Sequence, residues 1–178
     1  MGNEKITELV GSTLEFAKGV LKKDNVLAPV ALLVAPSGVT VVPIKFDSDA
    51  KKHTVYTAIG SACRRIGATH VVLVNDAAMR TFDKGADYEK VVSDPTEAPL
   101  TYPKSMRTEV VMVLGHELGT DRTEFLMQPY KDEGGKVEFL DEPAKGDEFT
   151  GFKSGLIDDI ENGYSRLDRI RRPDGGTL

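Results

Sequence analysis

Three charged side chains mark the stretch of this 178-residue chain where residue type and spacing suggest a site: Asp76, Arg107 and Glu109. Arg107 and Glu109 differ by two, so on a strand they share a face. An arginine so placed can grip a carboxylate or a phosphate through two parallel N–H bonds. Asp76, with Asn75 before it, closes the apolar run His70-Val71-Val72-Leu73-Val74 and is a ready counter-charge for Arg107. The same residues therefore allow two outcomes. Either Arg107 holds an anionic ligand at the end of a sheet, or an Arg107–Asp76 ion pair pins a loop to that sheet. The ion pair is the plainer expectation, because structural pairs leave the same pattern. Val111 and Val113 continue the face of Arg107 and Glu109, so a helix or a second subunit is expected to cover them.

Other chemistry is easier to set aside. The run Gly115-His116-Glu117-Leu118-Gly119-Thr120 contains His-Glu, but a zinc-protease helix needs a second histidine where Thr120 stands, and Gly119 argues for a turn. His70 and His116 could meet if their strands pair, and His53 lies apart; no metal centre is expected. Neither of the common glycine-rich phosphate loops is present, nor a Gly-x-Ser-x-Gly elbow, and no cofactor is expected. Cys63, the single cysteine, sits among Ala58, Ile59, Ala62 and Ile66 and reads as core packing. Arg166, Arg169, Arg171 and Arg172 form a basic cluster, but Asp158, Asp159, Glu161 and Asp168 share the segment and offset it. These residues therefore read as surface ion pairs along a helix, and no nucleic acid is expected as a partner.

The elements that must position these residues follow from periodicity. Ile6, Leu9, Val10, Leu14, Ala17, Val20 and Leu21 recur at helical spacing. Residues 29–34 and 39–46 read as strands joined by the turn Pro36-Ser37-Gly38. A second helix runs over 50–66, capped by Ser48 or Asp49, with Val55, Ala58, Ile59, Ala62 and Ile66 as its apolar stripe and Gly67 as its stop. Residues 70–75 form a strand apolar on both faces. Residues 76–104 have no period and contain four of the chain's turn-forming residues, Gly85, Pro95, Pro99 and Pro103, so a long irregular loop is expected there. Strands are expected over 108–117, 123–130 and 136–140, joined by Gly119-Thr120-Asp121 and Glu133-Gly134-Gly135 as a meander. From Lys131 to Glu148 carboxylates outnumber lysines, the pattern of a solvated rim. A last helix carries Leu156, Ile157, Ile160, Tyr164, Leu167 and Ile170, and residues 171–178 form a polar tail expected to fray.

The fold expected is α+β: one domain over 1–178, with a single, mainly antiparallel sheet of about five or six strands and helices on both faces. The second helix is expected on one side and the two terminal helices on the other. Composition agrees, with 40% hydrophobic and 29% charged residues. A net charge of -5 disfavours phosphate backbones and anionic membranes. The longest apolar run, 26–36, falls far short of the roughly 20 residues of a membrane span, so no membrane is expected and the cytoplasm is the expected location.

The order helix, two strands, helix, strand, loop, three strands, helix resembles the profilin-like folds, which include the roadblock and longin modules. Asn75-Asp76-Ala77-Ala78, Pro103 through Arg107-Thr108-Glu109, and Leu140-Asp141-Glu142 resemble an uncharacterised family of small bacterial and phage proteins. In that family a strand ends in a Ser-Glu-Ala-Trp-like motif, and a Pro-containing loop leads to an Arg-x-Glu strand. Ala78 stands where the family usually has Trp, and Asp76 where it has Glu. The resemblance implies a fold unit and highlights positions, and it implies no activity.

Two functions remain open. One is a non-catalytic interaction, regulatory or scaffold module that forms a homo-oligomer, expected as a two-fold dimer, because the strands are apolar on both sides and no acid, base and nucleophile converge. The other is a small-molecule binding protein or enzyme, its anionic ligand held near Asp76, Arg107, Glu109 and Asn75.

Overall fold

A computed structural model describes residues 2–79, 107–145 and 153–170, the side chains at the limits of these segments and at residues 49–50 excepted. Most of the loop expected over 76–104 and the whole 171–178 tail lie outside the described residues, as do the side chains of the Arg166–Arg172 cluster.

The first helix, α1 (Gly2–Asp24), buries Ile6, Val10, Leu14, Ala17 and Leu21 along one stripe. Lys22 and Lys23 sit in its last turn, where cations complement the helix dipole, and Asn25 ends it in the left-handed region with its N–H donating to the Leu21 carbonyl at 2.9 Å. Strands β1 (Val30–Ala35) and β2 (Gly38–Pro43) form the expected hairpin, Ala35 facing Gly38 across a two-residue turn. Helix α2 (Asp49–Ile66) follows. Ser48 is its N-cap by position, although its side chain makes no capping bond.

Strand β3 (His70–Met79) runs four residues past the expected end at Asn75, because Asp76 to Met79 pair with Val111 to Thr108 of the next strand. Residues 76–79 thus belong to the sheet and not to the loop expected from 76 onward. Then come β4 (Thr108–Glu117), β5 (Thr123–Glu133), β6 (Lys136–Phe139), a two-residue β7 (Ala144–Lys145) and α3 (Lys153–Ile170). The sheet runs β2-β1-β3-β4-β5-β6, every neighbouring pair antiparallel, with β7 also on β5. The fold is α+β, and among the described residues no helix is long and apolar enough to cross a membrane.

The distribution of helices differs from expectation. Helices α2 and α3 share one face and α1 lies alone on the other. Glycine is the cause. A Cβ on Gly60 would lie 1.9 Å from the Ile160 carbonyl oxygen, and one on Gly163 would lie 1.9 Å from that of Thr57. Two helices that approach backbone to backbone in this way form a unit and must share a side of the sheet. The close approach also rotates α2. Tyr56, Ile59, Gly60 and Cys63 are its buried positions, while Ala58 and Ile66 are exposed. Cys63 is fully buried as expected, and burial pushes its thiol up to about 12.

On the α2/α3 face the core contains Ala31, Leu33, Val71, Leu73, Val110 and Leu114 from the sheet. On the α1 face it contains Val72, Val74, Val111, Val113 and Tyr130. Helix α1 therefore covers Val111 and Val113, the pair whose exposure the sequence raised. It packs on β3, β4, β5 and β6, directly over Gly115, where a Cβ would meet Val10 at 2.4 Å.

Candidate functional site

The polar end of the sheet lies on the α1 face beyond the C-terminus of that helix. Period-two alternation puts Asp76 on the same side as Val72 and Val74, and Glu109 on the same side as Val111. On β5 the residue opposite Glu109 is Tyr130, whose hydroxyl reaches across to donate to Asp76 Oδ1 at 2.8 Å. Burial pushes the Tyr130 phenol up, and the Asp76 carboxylate adds to the shift. Arg107 Nε donates to Glu109 Oε1 at 2.8 Å, and the two side chains retain only 15% and 17% of their exposure. The structure thus brings Asp76, Arg107 and Glu109 to one face and adds Tyr130 to them.

Asn75 goes elsewhere. It lies on the opposite face, beside a small cavity of about 60 Å³ between the sheet and α2/α3 that Tyr56, Met112 and Phe125 also line.

Next to the Arg107–Glu109 pair is an open groove of about 440 Å³, bordered also by Tyr130, Lys131, Asp132 and Glu133. Its charges are mixed. An anion entering here must compete with Glu109 for Arg107 and lie near Asp132 and Glu133, an arrangement that is poor for anion capture. The nearby Gln128 is fully buried and donates to the Leu140 carbonyl at 2.6 Å and to that of Asp141 at 3.2 Å. It closes the break between β6 and β7, where Asp141 has positive φ. A phenol held protonated, a paired guanidinium and a structural amide give strong positional control but no activated nucleophile.

The histidines also resolve. His70 faces Glu117 and Val71 faces His116 in the β3–β4 register, so the two imidazoles point to opposite sides of the sheet. His116 is 1% exposed on the α2/α3 side, where its Nε2–H donates to Glu161 Oε1 at 2.7 Å and Nδ1 lies 3.1 Å from Thr123 Oγ1. Glu161 also accepts the Gly119 N–H at 2.8 Å, so it ties α3 to the β4–β5 turn. The Gly115–Thr120 run is the end of β4 and that turn. Among the described residues no three His, Cys, Asp or Glu side chains converge as a metal site.

The feature not visible in the sequence is the α1 face of the β1–β2 hairpin. Val39 and Val41 lie opposite Val34 and Leu32, on the side of the sheet where α1 sits, yet they are 58% and 60% exposed. Lys18 and Lys22 of α1 lie over the Phe139 ring, toward β6. The opposite flank of α1 turns to β1 and carries Phe16, 73% exposed, and Val20. Phe16 on this flank and Val39 and Val41 on the hairpin leave exposed apolar surface on the α1 side of the sheet. Residues 39–42 are apolar except Thr40 and so read as a strand covered on both faces, cover that the fold does not supply on the α1 side.

Comparison of the chain with protein-family models, with curated proteins and with solved structures finds no match.

Proposed function

We propose that this chain is a non-catalytic interaction module that acts through protein contacts and associates with itself. The observation that carries the reading is the exposed Val39 and Val41 on the α1 face of the β1–β2 hairpin, uncovered apolar sheet surface of the kind that marks protein-binding surfaces. The polar residues elsewhere support it, because Arg107 and Glu109 pair with each other, while Tyr130 ties β5 to β3 and His116 ties β4 to α3. A cytoplasmic setting fits a lone buried thiol that needs no partner.

Light scattering across a wide concentration range tests the reading: the mass is expected to rise from one chain toward two. A single chain at high micromolar concentration would sink it.

The second reading is a small-molecule protein whose ligand occupies the groove beside Arg107 and Glu109, favoured by the size of that groove. A melting screen against metabolite and nucleotide pools separates the two, since a ligand at 100 times its dissociation constant stabilises by about 2.7 kcal/mol.

A further inference from the structure

We propose that the second copy binds along the free edge of β2, strand against strand about a two-fold axis at Thr40, so that the two sheets continue as one. This rests on the self-association proposed above and specifies how it occurs.

The two edges of the sheet are built differently. The β6–β7 edge carries Lys136, Glu138 and Lys145 and is broken at Asp141, with Gln128 bonded into the gap. Charges and breaks of this kind are how proteins stop an edge from recruiting another strand. Strand β2 has neither. Its register with β1 is unbroken over all six residues, and residues 36–44 contain no charged side chain.

The hydrogen-bond inventory of β2 fixes the register. Ala35 and Gly38 close the two-residue turn, and the Ile44 N–H donates to the Pro29 carbonyl at 2.9 Å. In an antiparallel ladder such pairs recur every second residue, so Gly38, Thr40, Val42 and Ile44 turn their peptide groups toward β1. Val39, Val41 and Pro43 point theirs outward.

Two such edges pair antiparallel only when outward residues meet outward residues. Centring the axis on Thr40 places Val39 opposite Val41 of the second copy, and each valine then donates once and accepts once. Centring it on Val41 would set Val39 against Pro43, which has no N–H to give. Centring it on Val39 would set Val41 against Ser37, in the turn. The Thr40 register alone satisfies every outward N–H and its carbonyl.

Side chains agree with that register. The Val39 and Val41 pairs of both copies adjoin on the α1 face, and Thr40 meets Thr40 on the other, a favourable cross-strand pair. Each chain carries a net charge of -5, and this neutral edge is a place where two copies can meet without opposing like charges.

The test uses the full chain and three substitutions. At the axis the Thr40 Cα atoms would be about 4.5 Å apart, within disulfide reach. Thr40→Cys is expected to form a linked dimer under mild oxidation much faster than Thr54→Cys, an exposed position on α2. Cys63 is buried and does not compete. Val41→Pro removes an outward N–H along with the valine side chain and leaves the bonds to β1 in place, and is expected to weaken association at least about tenfold while leaving the melting transition cooperative. Val41→Lys, which keeps the backbone donor but charges the edge, is expected to do the same and serves if the proline variant does not fold. A wild-type dimer that survives either folded variant, or a Thr40→Cys linkage no faster than Thr54→Cys, would overturn the pairing and leave self-association standing. A wild-type monomer at high micromolar concentration would overturn both.

Discussion

The two faces of the sheet carry almost the same kind of surface but have unequal cover. A helix is about 10 Å across and strands are about 4.8 Å apart, so one helix covers roughly two strands and two helices roughly four. On one face α2 and α3 nest through Gly60 and Gly163 and bury Leu33, Val71, Val110 and Leu114 beneath them. On the other, α1 sits over β4, and the long stems of Lys18 and Lys22 extend its cover to Phe139. The hairpin at the far side is left open. The number of helices assigned to a face, rather than the hydrophobicity of its strands, decides where apolar surface remains for a partner.

The largest expected effect breaks the better-covered face. Gly60→Ala places a methyl group 1.9 Å from the Ile160 carbonyl oxygen, inside any allowed contact, so α2 and α3 must separate. A loss of about 3 kcal/mol is expected in denaturant melts, at the upper end of overpacking costs, because backbone cannot yield as a flexible side chain does. A loss below about 1 kcal/mol would mean that the helices slide apart easily and that this face is no better fixed than the other.

Arg107→Ala asks whether the polar end of the sheet is structural. The substitution leaves Glu109 largely buried without its guanidinium, and a loss of about 2 kcal/mol is expected. A ligand site predicts the reverse, stability unchanged or improved, because charges gathered for binding strain the empty protein. The two outcomes differ in sign, and one pair of urea melts separates them.

These two sites show how much the sequence can reveal. Strand β4 spans 108–117 as periodicity predicts, and the two-residue spacing of Arg107 and Glu109 places them side by side. The sequence offers Asp76 as a counter-charge for Arg107, and the structure adds the Tyr130 hydroxyl, which donates to its Oδ1. Nothing local in sequence relates Tyr130 to Asp76, since the contact depends on the order of three strands. Asn75 adjoins Asp76 in sequence, but alternation sends neighbours to opposite faces, and a strand continuing through Met79 is what makes that rule apply. The pairing of α2 with α3 depends on Gly60 and Gly163, and glycine within a helical pattern reads as a weak point until its neighbour is known. Among these features, spacing along one element was legible; contacts set by the arrangement of separate elements were not.

Gly19→Ala sharpens the comparison from the thinly covered face. A Cβ at Gly19 in α1 meets nothing within 4 Å, so alanine removes backbone freedom from the unfolded chain without a clash. A gain of about 0.5 to 1 kcal/mol is expected. The same substitution, Gly to Ala in a helix, thus changes sign between Gly60 and Gly19, and two thermal melts measure it. A loss at Gly19 would show that α1 is pressed by something its exposed flank does not reveal.

The smallest effect concerns His70, at the end of β3 on the α1 face. Burial holds its imidazole below the ordinary value of 6.5, with Lys5 and His116 adding to the depression and Glu117 opposing it. Its ring Nδ1 lies 2.9 Å from Thr69 Oγ1. Because the folded value is the lower one, the unfolded chain takes up a proton first as the pH falls. Stability contributed by the neutral imidazole is therefore intact above 6.5 and declines as the pH drops from there through the depressed native value. The matching measurement is urea stability from pH 7.5 to 5 for the wild type and for His70→Gln, which removes the titration and keeps a polar side chain. The variant is expected to show a flatter decline over that range. Parallel curves would assign the acid sensitivity to carboxylates elsewhere and would mean that α1 does not bury this end of the sheet enough to hold His70 neutral.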